Sequence, residues 1–558
     1  MRLLPTWLRS YDRAWLPVDV MAGLTVWALM VPQALAYAGI AGVPVQNGLY
    51  VMPLAVVGYL LLGSSRHLYV GPSATVATLS ASTVALVATA STGSADYIAL
   101  TVALTLMVGV IYIAGGLARM GFVSRFFARP VLEGFIVGLG LYIAIGQLPK
   151  VVGVAKPYGD TLLVLAKTIG DVGKWEGTTV AVGVAGLVAL FAFARFAPKL
   201  PGVIIVVALA ILASEVLDLQ HHGVAIVGDV PTGFHFVSLS SVSTDDLVKM
   251  LPGALAIVVV GLAQALAIAK SYAAKYHYAV DANREMLGYG AANLGAGALQ
   301  GYTVTGGLSA SGAAERSGAK SPAAFLVSAL MALLTILFLA GLFADLPEPV
   351  LGAVVIWAVS GMIKPGRVTQ YRRARSLEFW AALGALLGVI LIDILPGVAI
   401  GVALSFILLI HTIGHPHIAV LGRSRDGARF RDLEDDPEAT PIPGVLIHRF
   451  EAELIFANAD LFQDDLLARV HAAEPTPGAV VLDFEAVSQV DVTGEEALRS
   501  VHDTLDTLGI RLFVARAKSR VRDALRRGGT LDVLGEDSLM PSVDSAIEAI
   551  EAPTPLLP

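Results

Sequence analysis

Long apolar runs separated by short polar loops fill the first three quarters of the chain. Runs near twenty residues recur between Val18 and His411, for example over 177–193, 251–268 and 322–343. Each is long enough to cross a bilayer core of about 30 Å as an α-helix. Other candidates are short or broken by Gly and Pro. Together with the charges of the loops, the pattern predicts about 14 transmembrane segments.

The charges of the loops predict the orientation of these segments. Loops predicted to face the cytoplasm, such as 119–129 and 364–375, carry Arg and Lys, whereas the outward loops around 229–246 and 345–348 carry acids. The loop 150–176 is mixed and breaks the pattern. A cytoplasmic concentration of basic residues orients membrane proteins. We therefore expect a multi-pass protein of the cell membrane with both termini in the cytoplasm.

A short sequence repeats in the two halves of the apolar region. Gln33-Ala-Leu-Ala-Tyr-Ala38 recurs as Gln264-Ala-Leu-Ala-Ile-Ala269, a match that chance alone could give in an Ala- and Leu-rich chain. Each copy, however, is followed some forty residues later by an extended piece, a Gly-containing break and a polar helix start, at 68–75 and at 302–310. Paired interruptions of this kind are typical of transporters built from inverted repeats. We predict a 7+7 inverted repeat, with repeat 1 over about 17–218 and repeat 2 over about 246–413.

The composition changes after His411. Residues 421–440 are dense in charge and contain Gly and Pro, which predicts a linker between a transmembrane transport domain over 1–420 and a soluble domain over 441–558. In the soluble part, predicted strands alternate with predicted helices, which indicates a small α/β domain. The strands are expected over 445–450, 454–457, 479–484 and 511–515, and the helices over 459–473, 495–508, 519–527 and 542–550.

Composition supports the membrane assignment and narrows the chemistry. The 558 residues are 56% hydrophobic and only 15% charged, and none is a cysteine. Such a chain is too apolar for an ordinary soluble surface, and it can form neither disulfides nor thiolate metal sites. It contains no phosphate-binding Gly-x-x-x-x-Gly-Lys loop and no convincing set of His ligands. We expect no cofactor, no metal, no catalytic residue and no nucleic-acid partner, and the protein is not expected to be an enzyme.

Two opposed half-helix N-termini would form an anion site, because their unpaired N–H groups and positive dipole ends attract negative charge. Donors that could replace part of a lost hydration shell are the hydroxyls of Ser73, Thr75, Ser309 and Ser311 and the amides of Gln33 and Gln264. Small polar residues in membrane helices also serve as packing contacts. That role does not explain why they cluster beside the helix breaks of both repeats.

Several motifs resemble those of the SulP anion permease family, which includes prestin. In chain order they are Val31–Ala38, Gly48–Tyr50, Gly63–Arg66, Val70–Pro72, Tyr278–Glu285, Asn293–Gly295 and Gly306–Ser309. The resemblance implies core and gate domains, a homodimer, and an anion held between the third and tenth segments. The substrate-binding residues it implies, with the half-helix starts beside them, are Gln33, Tyr37, Ser73, Ala74, Thr75, Gln264, Gly307, Leu308, Ser309 and Ala310.

Two positions depart from the family's common pattern. Many members have Glu where this chain has Gln264 and Arg where it has Ala310. Gln264 removes the carboxylate that would most naturally couple transport to protons, and Ala310 removes a cation that would favour a dianion. Glu133 is an alternative coupling site, although an acid at a helix start more often complements the helix dipole.

The C-terminal part resembles a STAS domain, the fold that these permeases share with bacterial anti-sigma-factor antagonists. Val480–Phe484 followed by Val490–Gly494 matches its strand, loop and helix-start motif. Val492 stands where the antagonists carry a phosphorylated serine, and Thr493 is predicted to cap the helix that follows.

These observations favour a secondary transporter or exchanger of small anions, with bicarbonate, sulfate, chloride and dicarboxylates all open as substrates. The expected partners are the anion, the lipid bilayer and a co-transported or exchanged ion. One alternative is a nucleobase-type permease of similar fold, against which the STAS domain and the repeated motif argue. The other is a non-transporting membrane sensor that signals through its STAS domain.

Overall fold

A computed structural model describes residues 6–9, 11–125, 128–197, 200–374, 376–427 and 429–552. The chain divides into two compact units, Met1–Ser405 and Phe406–Pro558, and the division falls inside a helix. Within the described residues, eight helices are long and apolar enough to cross a membrane, and several shorter apolar helices accompany them.

The first unit begins with a short helix, α1 (Thr6–Arg9), and then repeats one order of elements twice. The first set comprises α2 (Leu16–Ala41), α3 (Val45–Tyr50), α4 (Pro53–Leu62), β1 (Tyr69–Gly71), α5 (Ala74–Val84), α6 (Ala95–Leu117), α7 (Arg129–Val152), α8 (Thr161–Gly170), α9 (Gly177–Phe196) and α10 (Gly202–Val216). The second comprises α11 (Thr244–Tyr276), α12 (Ala282–Ala298), β2 (Thr305–Gly307), α13 (Leu308–Arg316), α14 (Ala323–Leu334), α15 (Glu348–Ser360), α16 (Pro365–Ala374), α17 (Ser376–Leu391) and α18 (Ile394–Gly414).

The two sets correspond element by element and give seven membrane segments each. The pair α3–α4 matches α12, each short strand with its half-helix matches the other, and the short helices α8 and α16 occupy the same place in their sets. An odd number of segments turns the second set upside down relative to the first. The predicted fold, a helical membrane protein with a 7+7 inverted repeat, is confirmed.

The helices pack as two groups. In the core group α12 packs against α4 and α6, and α14 packs against α2, whereas in the gate group α7 packs against α15 and α17. Small residues let the core helices approach closely. A Cβ atom at Gly58 would lie 2.5 Å from the carbonyl oxygen of Ala291, so only glycine fits there.

A buried carboxylate joins α12 to the loop before β1. Glu285 is fully buried, and its Oε1 accepts hydrogen bonds from the backbone N–H of Ser64 (2.8 Å) and Ser65 (2.9 Å) and from the Ser64 hydroxyl (2.7 Å). Its Oε2 accepts from the hydroxyls of Tyr59 (2.9 Å) and Tyr289 (2.7 Å). This carboxylate therefore fixes the loop that leads directly into β1.

We expect Glu285→Gln to destabilise the membrane unit by about 3 kcal/mol, because an amide nitrogen would face donors that then have no acceptor. Thermal unfolding of the full chain in detergent measures this loss. Glu348→Gln is the matched control, because Glu348 forms a half-exposed ion pair with Lys150 at 3.2 Å. Equal stability of the two variants would contradict the structural role given to Glu285.

The second unit contains a six-stranded sheet with the strand order β4-β3-β5-β6-β7-β8. The strands are β3 (Ile418–Arg423), β4 (Phe430–Asp432), β5 (Val445–Phe450), β6 (Ala479–Asp483), β7 (Arg511–Ala515) and β8 (Leu539–Met540). The helices are α19 (Ala459–Ala472), α20 (Val492–Thr507), α21 (Ser519–Arg527), α22 (Thr530–Leu534) and α23 (Val543–Glu551). Strands β5 to β8 are parallel, and β3 pairs antiparallel with both β5 and β4.

The structure of the second unit differs from the sequence prediction at one strand, one helix cap and the linker. The predicted strand over 454–457 does not form, because the side chains of Asn458 and Asp491 accept from the backbone N–H groups of Ile455 and Phe456. Thr493 does not cap α20, since Asp491 does so by accepting from the N–H of Gly494 at 2.8 Å. The segment expected to be a linker, 421–440, contains β4 and the end of β3, two strands of the sheet.

Buried His448 makes this unit sensitive to acid. Its Nε2 lies 2.9 Å from Oδ2 of Asp465, while its buried Nδ1 has no hydrogen-bond partner among the described residues. Burial lowers the pKa of the imidazole, and the contact with Asp465 offsets this only in part. A second proton would have to sit on Nδ1 without an acceptor.

We therefore expect the soluble unit to lose stability as the pH falls below about 6.5, the ordinary pKa of histidine in an unfolded chain. The unfolded chain takes up a proton there and the folded unit does not, so the loss reaches at most about 1.4 kcal/mol per pH unit. Urea unfolding of a fragment over 415–558 at several pH values measures it. His448→Gln should remove most of the change in unfolding free energy between about pH 5 and about pH 6.5. His471→Gln, which changes an exposed histidine, should not.

Candidate functional site

The two half-helices meet where β1 and β2 cross. The strands pair antiparallel, with Tyr69 opposite Gly307, Val70 opposite Gly306 and Gly71 opposite Thr305. Helix α13 begins directly after its strand, and α5 begins after the two residues Pro72 and Ser73. The N-termini of α5 and α13 therefore lie on either side of one short ribbon.

Neither half-helix has its N-terminal N–H groups capped by its own N-cap side chain. The N-cap residues are Ser73 (φ −145°, ψ 132°) and Gly307 (φ −109°, ψ 121°), both extended. The Ser73 hydroxyl accepts no hydrogen bond from its helix, and Gly307 has no side chain that could do so. A helix start leaves its first N–H groups without an intrahelical acceptor. Both ends thus keep donors, and a positive dipole end, available to a ligand.

Ser311 fixes the crossing itself. Its hydroxyl accepts from the N–H of Tyr69 (2.8 Å) and donates to the carbonyl of Gly307 (2.7 Å), so it joins the two strands. The one proton of this hydroxyl is therefore used within the fold, and Ser311 does not supply the free donor that the sequence suggested.

A cavity of about 900 Å³ lies at this crossing, within the membrane unit. The structure brings all ten predicted site residues to its wall, and these are Gln33, Tyr37, Ser73, Ala74, Thr75, Gln264, Gly307, Leu308, Ser309 and Ala310. They come from α2, α11 and the two half-helix starts. Their role in binding stays a prediction.

The two glutamines carry unsatisfied polar atoms. Gln33 is 2% exposed, and its Oε1 accepts from the Tyr37 hydroxyl at 3.5 Å while its Nε2 has no partner among the described residues. Oε1 of Gln264 is buried and likewise unpartnered. Buried polar groups without partners are costly, which favours a polar occupant of this cavity.

Five charged side chains also line the cavity, and this group is here called the mouth: Arg129, Glu133, Lys270, Lys364 and Arg367. The carboxylate of Glu133 accepts hydrogen bonds from Arg129 Nε and Arg367 Nη1, each at 3.4 Å, and from the Tyr371 hydroxyl at 3.0 Å. Arg129 is 81% exposed and Arg367 56%, so the mouth faces solvent. Four basic side chains and one carboxylate leave it three net positive charges.

Sequence reasoning missed the gate wall and the mouth. Leu132, Ile136 and Val137 of α7 and Met362 after α15, here called the gate wall, also line the cavity. They are apolar residues of apolar helices, so the sequence does not distinguish them from residues that face lipid or other helices. The basic residues of the mouth were recognised, but only as an indication of how the loops are oriented.

Both the membrane part and the C-terminal part of the chain match known protein families. The model of the sulfate permease family matches residues 16–385, and that of the STAS domain matches residues 436–546. A probable sulfate transporter of Mycobacterium tuberculosis (strain H37Rv) is 34% identical over 546 residues, which cover 97% of this chain and 96% of the relative. Sulfate transporter 4.1, chloroplastic, of Arabidopsis thaliana is 29% identical, with coverage of 97% and 81%.

Two solved structures share the fold. The murine Solute Carrier 26 family member A9 anion transporter, in the inward-facing state, has a TM-score of 0.89 at 24% identity and covers 98% of this chain and 93% of its own. The transmembrane domain of a cyanobacterium bicarbonate transporter has a TM-score of 0.60 at 21% identity, with coverage of 71% and 98%.

Proposed function

The chain belongs to the sulfate permease family and is an anion transporter with a STAS domain, and from this premise we propose that it is a secondary transporter or exchanger that binds its anion between the starts of α5 and α13. The observation that carries the proposal is the pair of uncapped helix N-termini facing one polar cavity. Their dipoles and N–H groups attract an anion without any basic side chain.

The ten predicted residues would have distinct tasks. The N–H groups at the starts of α5 and α13 would coordinate the anion, and the hydroxyls of Ser73, Thr75 and Ser309 would add donors. The free Nε2 of Gln33 would donate as well, with its amide held by the contact to Tyr37. Transport needs no covalent step, so these residues act by binding alone.

The proposed cycle moves the core group against the gate group. The residues of the proposed site belong to α2, α5, α11 and the start of α13, whereas the gate wall belongs to α7 and to the residues after α15. Displacement of one group along the other would carry the anion past this wall. We place the basic mouth of the cavity on the cytoplasmic side, because basic loops concentrate there.

The location, assembly and domain bounds belong to the same proposal. An even number of segments leaves both termini on one side, which the basic loops make the cytoplasm of a cell membrane. We propose a homodimer with one transport path in each subunit. We place the end of the transport domain near Gly414 and the start of the STAS domain at β3, because β3 and β4 belong to its sheet.

Flux through the purified full chain in liposomes tests the function. Vesicles loaded with chloride should take up radiolabelled chloride, bicarbonate or sulfate faster than protein-free vesicles, and an internal anion should accelerate uptake if the protein exchanges. A sensor would bind anions without flux. A nucleobase permease would take up uracil or xanthine and ignore the anions.

A further inference from the structure

Among the described residues, the ten placed at the proposed anion site include no ionised side chain. They contribute amides, hydroxyls, aliphatic groups and the backbone of the two half-helix starts, and the five charged described residues that line the cavity are those named above as the mouth. The two regions are separate along α11, since Lys270 follows Gln264 by six residues, or about 9 Å of helix.

The fixed positive charge at the site is therefore that of the two helix ends. Each end is equivalent to about half an elementary charge, so together they supply about one. A singly charged anion is balanced by this charge, whereas a doubly charged anion would keep about one uncompensated negative charge in a buried place.

Desolvation favours the same choice. The Born cost of removing an ion from water grows with the square of its charge, so it is about four times larger for a dianion of the same size. Attraction to fixed dipole ends only doubles. The neutral donors, among them Nε2 of Gln33 and the Ser309 hydroxyl, solvate either anion but add no net charge.

The basic mouth does not reverse this preference. Its three net positive charges concentrate anions of any valence, and dianions more strongly. The groups that carry them are largely exposed, as the side chains of Arg129 and Arg367 show, so salt screens their attraction. Valence is thus decided deeper in the cavity, after the anion has passed the mouth.

From these charges we infer that the site selects singly charged anions, such as chloride, bicarbonate or nitrate, over sulfate and other dianions, although the family is named for sulfate. The inference rests on the proposed function, because it places the anion between the starts of α5 and α13. It also assigns a role to Ala310, a buried alanine in the first turn of α13. Because alanine stands there and not a basic residue, the site has no side-chain cation to balance a second negative charge.

Competition in liposomes and direct binding test the selectivity together. Nitrate and bicarbonate should inhibit uptake of labelled chloride by the full chain at concentrations at least about tenfold below sulfate, equivalent to about 1.4 kcal/mol. The same order should appear in the thermal stabilisation of the purified protein by each sodium salt at matched ionic strength. Equal or stronger competition by sulfate would overturn the inference.

The two readouts separate failure of the inference from failure of the proposed function. Absence of flux with the monovalent order kept in the binding assay would refute transport and leave the selectivity standing. Flux with sulfate preferred would refute the selectivity alone. Absence of flux together with absence of stabilisation by any anion would refute both.

Added charge provides an independent arm. Ala310→Arg should raise the ratio of sulfate to chloride uptake at least about tenfold, whereas Ala310→Met, of comparable length without charge, should not. If Ala310→Arg fails to fold, Leu308→Arg with Leu308→Met as its control repeats the comparison at a position that is 58% exposed on the same wall. An unchanged ratio in a folded arginine variant would overturn the inference.

Discussion

Ser309→Glu should abolish anion uptake while leaving the protein folded. Ser309 lies in the first turn of α13, lines the cavity and is exposed to it. A glutamate there would place a carboxylate beside the positive helix ends where the substrate is proposed to bind. Two like charges about 4 Å apart repel by about 4 kcal/mol at the effective dielectric of a protein surface, which exceeds a 100-fold loss of affinity.

The same substitution should not harm the helix, since an acidic side chain in the first turn favours helix formation by about 0.3–1 kcal/mol. Uptake in liposomes and thermal unfolding in detergent measure the two effects separately. Ser309→Gln, similar in size but neutral, should keep most of the flux. Wild-type flux through Ser309→Glu would place the anion elsewhere in the protein.

The sequence predicted those parts of the site that depend on repeated local chemistry. The repeated hexapeptide placed Gln33 and Gln264 at matching positions, and both occur in the wall of one cavity. Pro72 and the paired glycines 306–307 marked the helix breaks, because proline and glycine restrict or free the backbone in known ways. The crossing of β1 and β2 follows from two such breaks in inverted copies.

Features that depend on contacts between distant parts of the chain could not be predicted from the sequence. The motif that contains Glu285 does not show what its carboxylate binds, because only the fold brings Ser64 and Tyr59 of another segment to its oxygens. The end of β3 and the whole of β4 lie in a charged stretch whose composition is typical of a linker. Their structure is decided by pairing, of β3 with β5 and of β4 with β3. Strand pairing of this kind is more a property of context than of local propensity.

The departures at Gln264 and Ala310 are expected to affect the coupling of transport to protons more than any other property. Gln264 cannot carry a proton between the two sides of the membrane, and its side chain lines the cavity with Oε1 buried. The acid among the described residues of the cavity wall is Glu133, whose Oε1 lies 3.4 Å from both Arg129 Nε and Arg367 Nη1 at the mouth. We expect chloride uptake by the unmodified protein to change by less than about twofold between pH of about 6 and 8.

Gln264→Glu should create a pH dependence that the unmodified protein lacks. Burial penalises the charged form, so a carboxyl at this position would take up a proton more readily than one in water and could titrate near neutrality. In its ionised form it would repel the anion, so uptake should be high at low pH and fall as the pH rises. Chloride is the suitable substrate for this measurement, because its own charge does not change with pH.

The double variant Gln264→Glu with Ala310→Arg separates coupling from simple repulsion. The arginine restores a charge pair across the cavity, so binding should recover at high pH, and a proton gradient should then drive accumulation of the anion. Glu133→Gln in each background tests the alternative coupling site. Strong proton-driven accumulation by the unmodified protein that survives Glu133→Gln would show that a proton crosses by a route other than position 264.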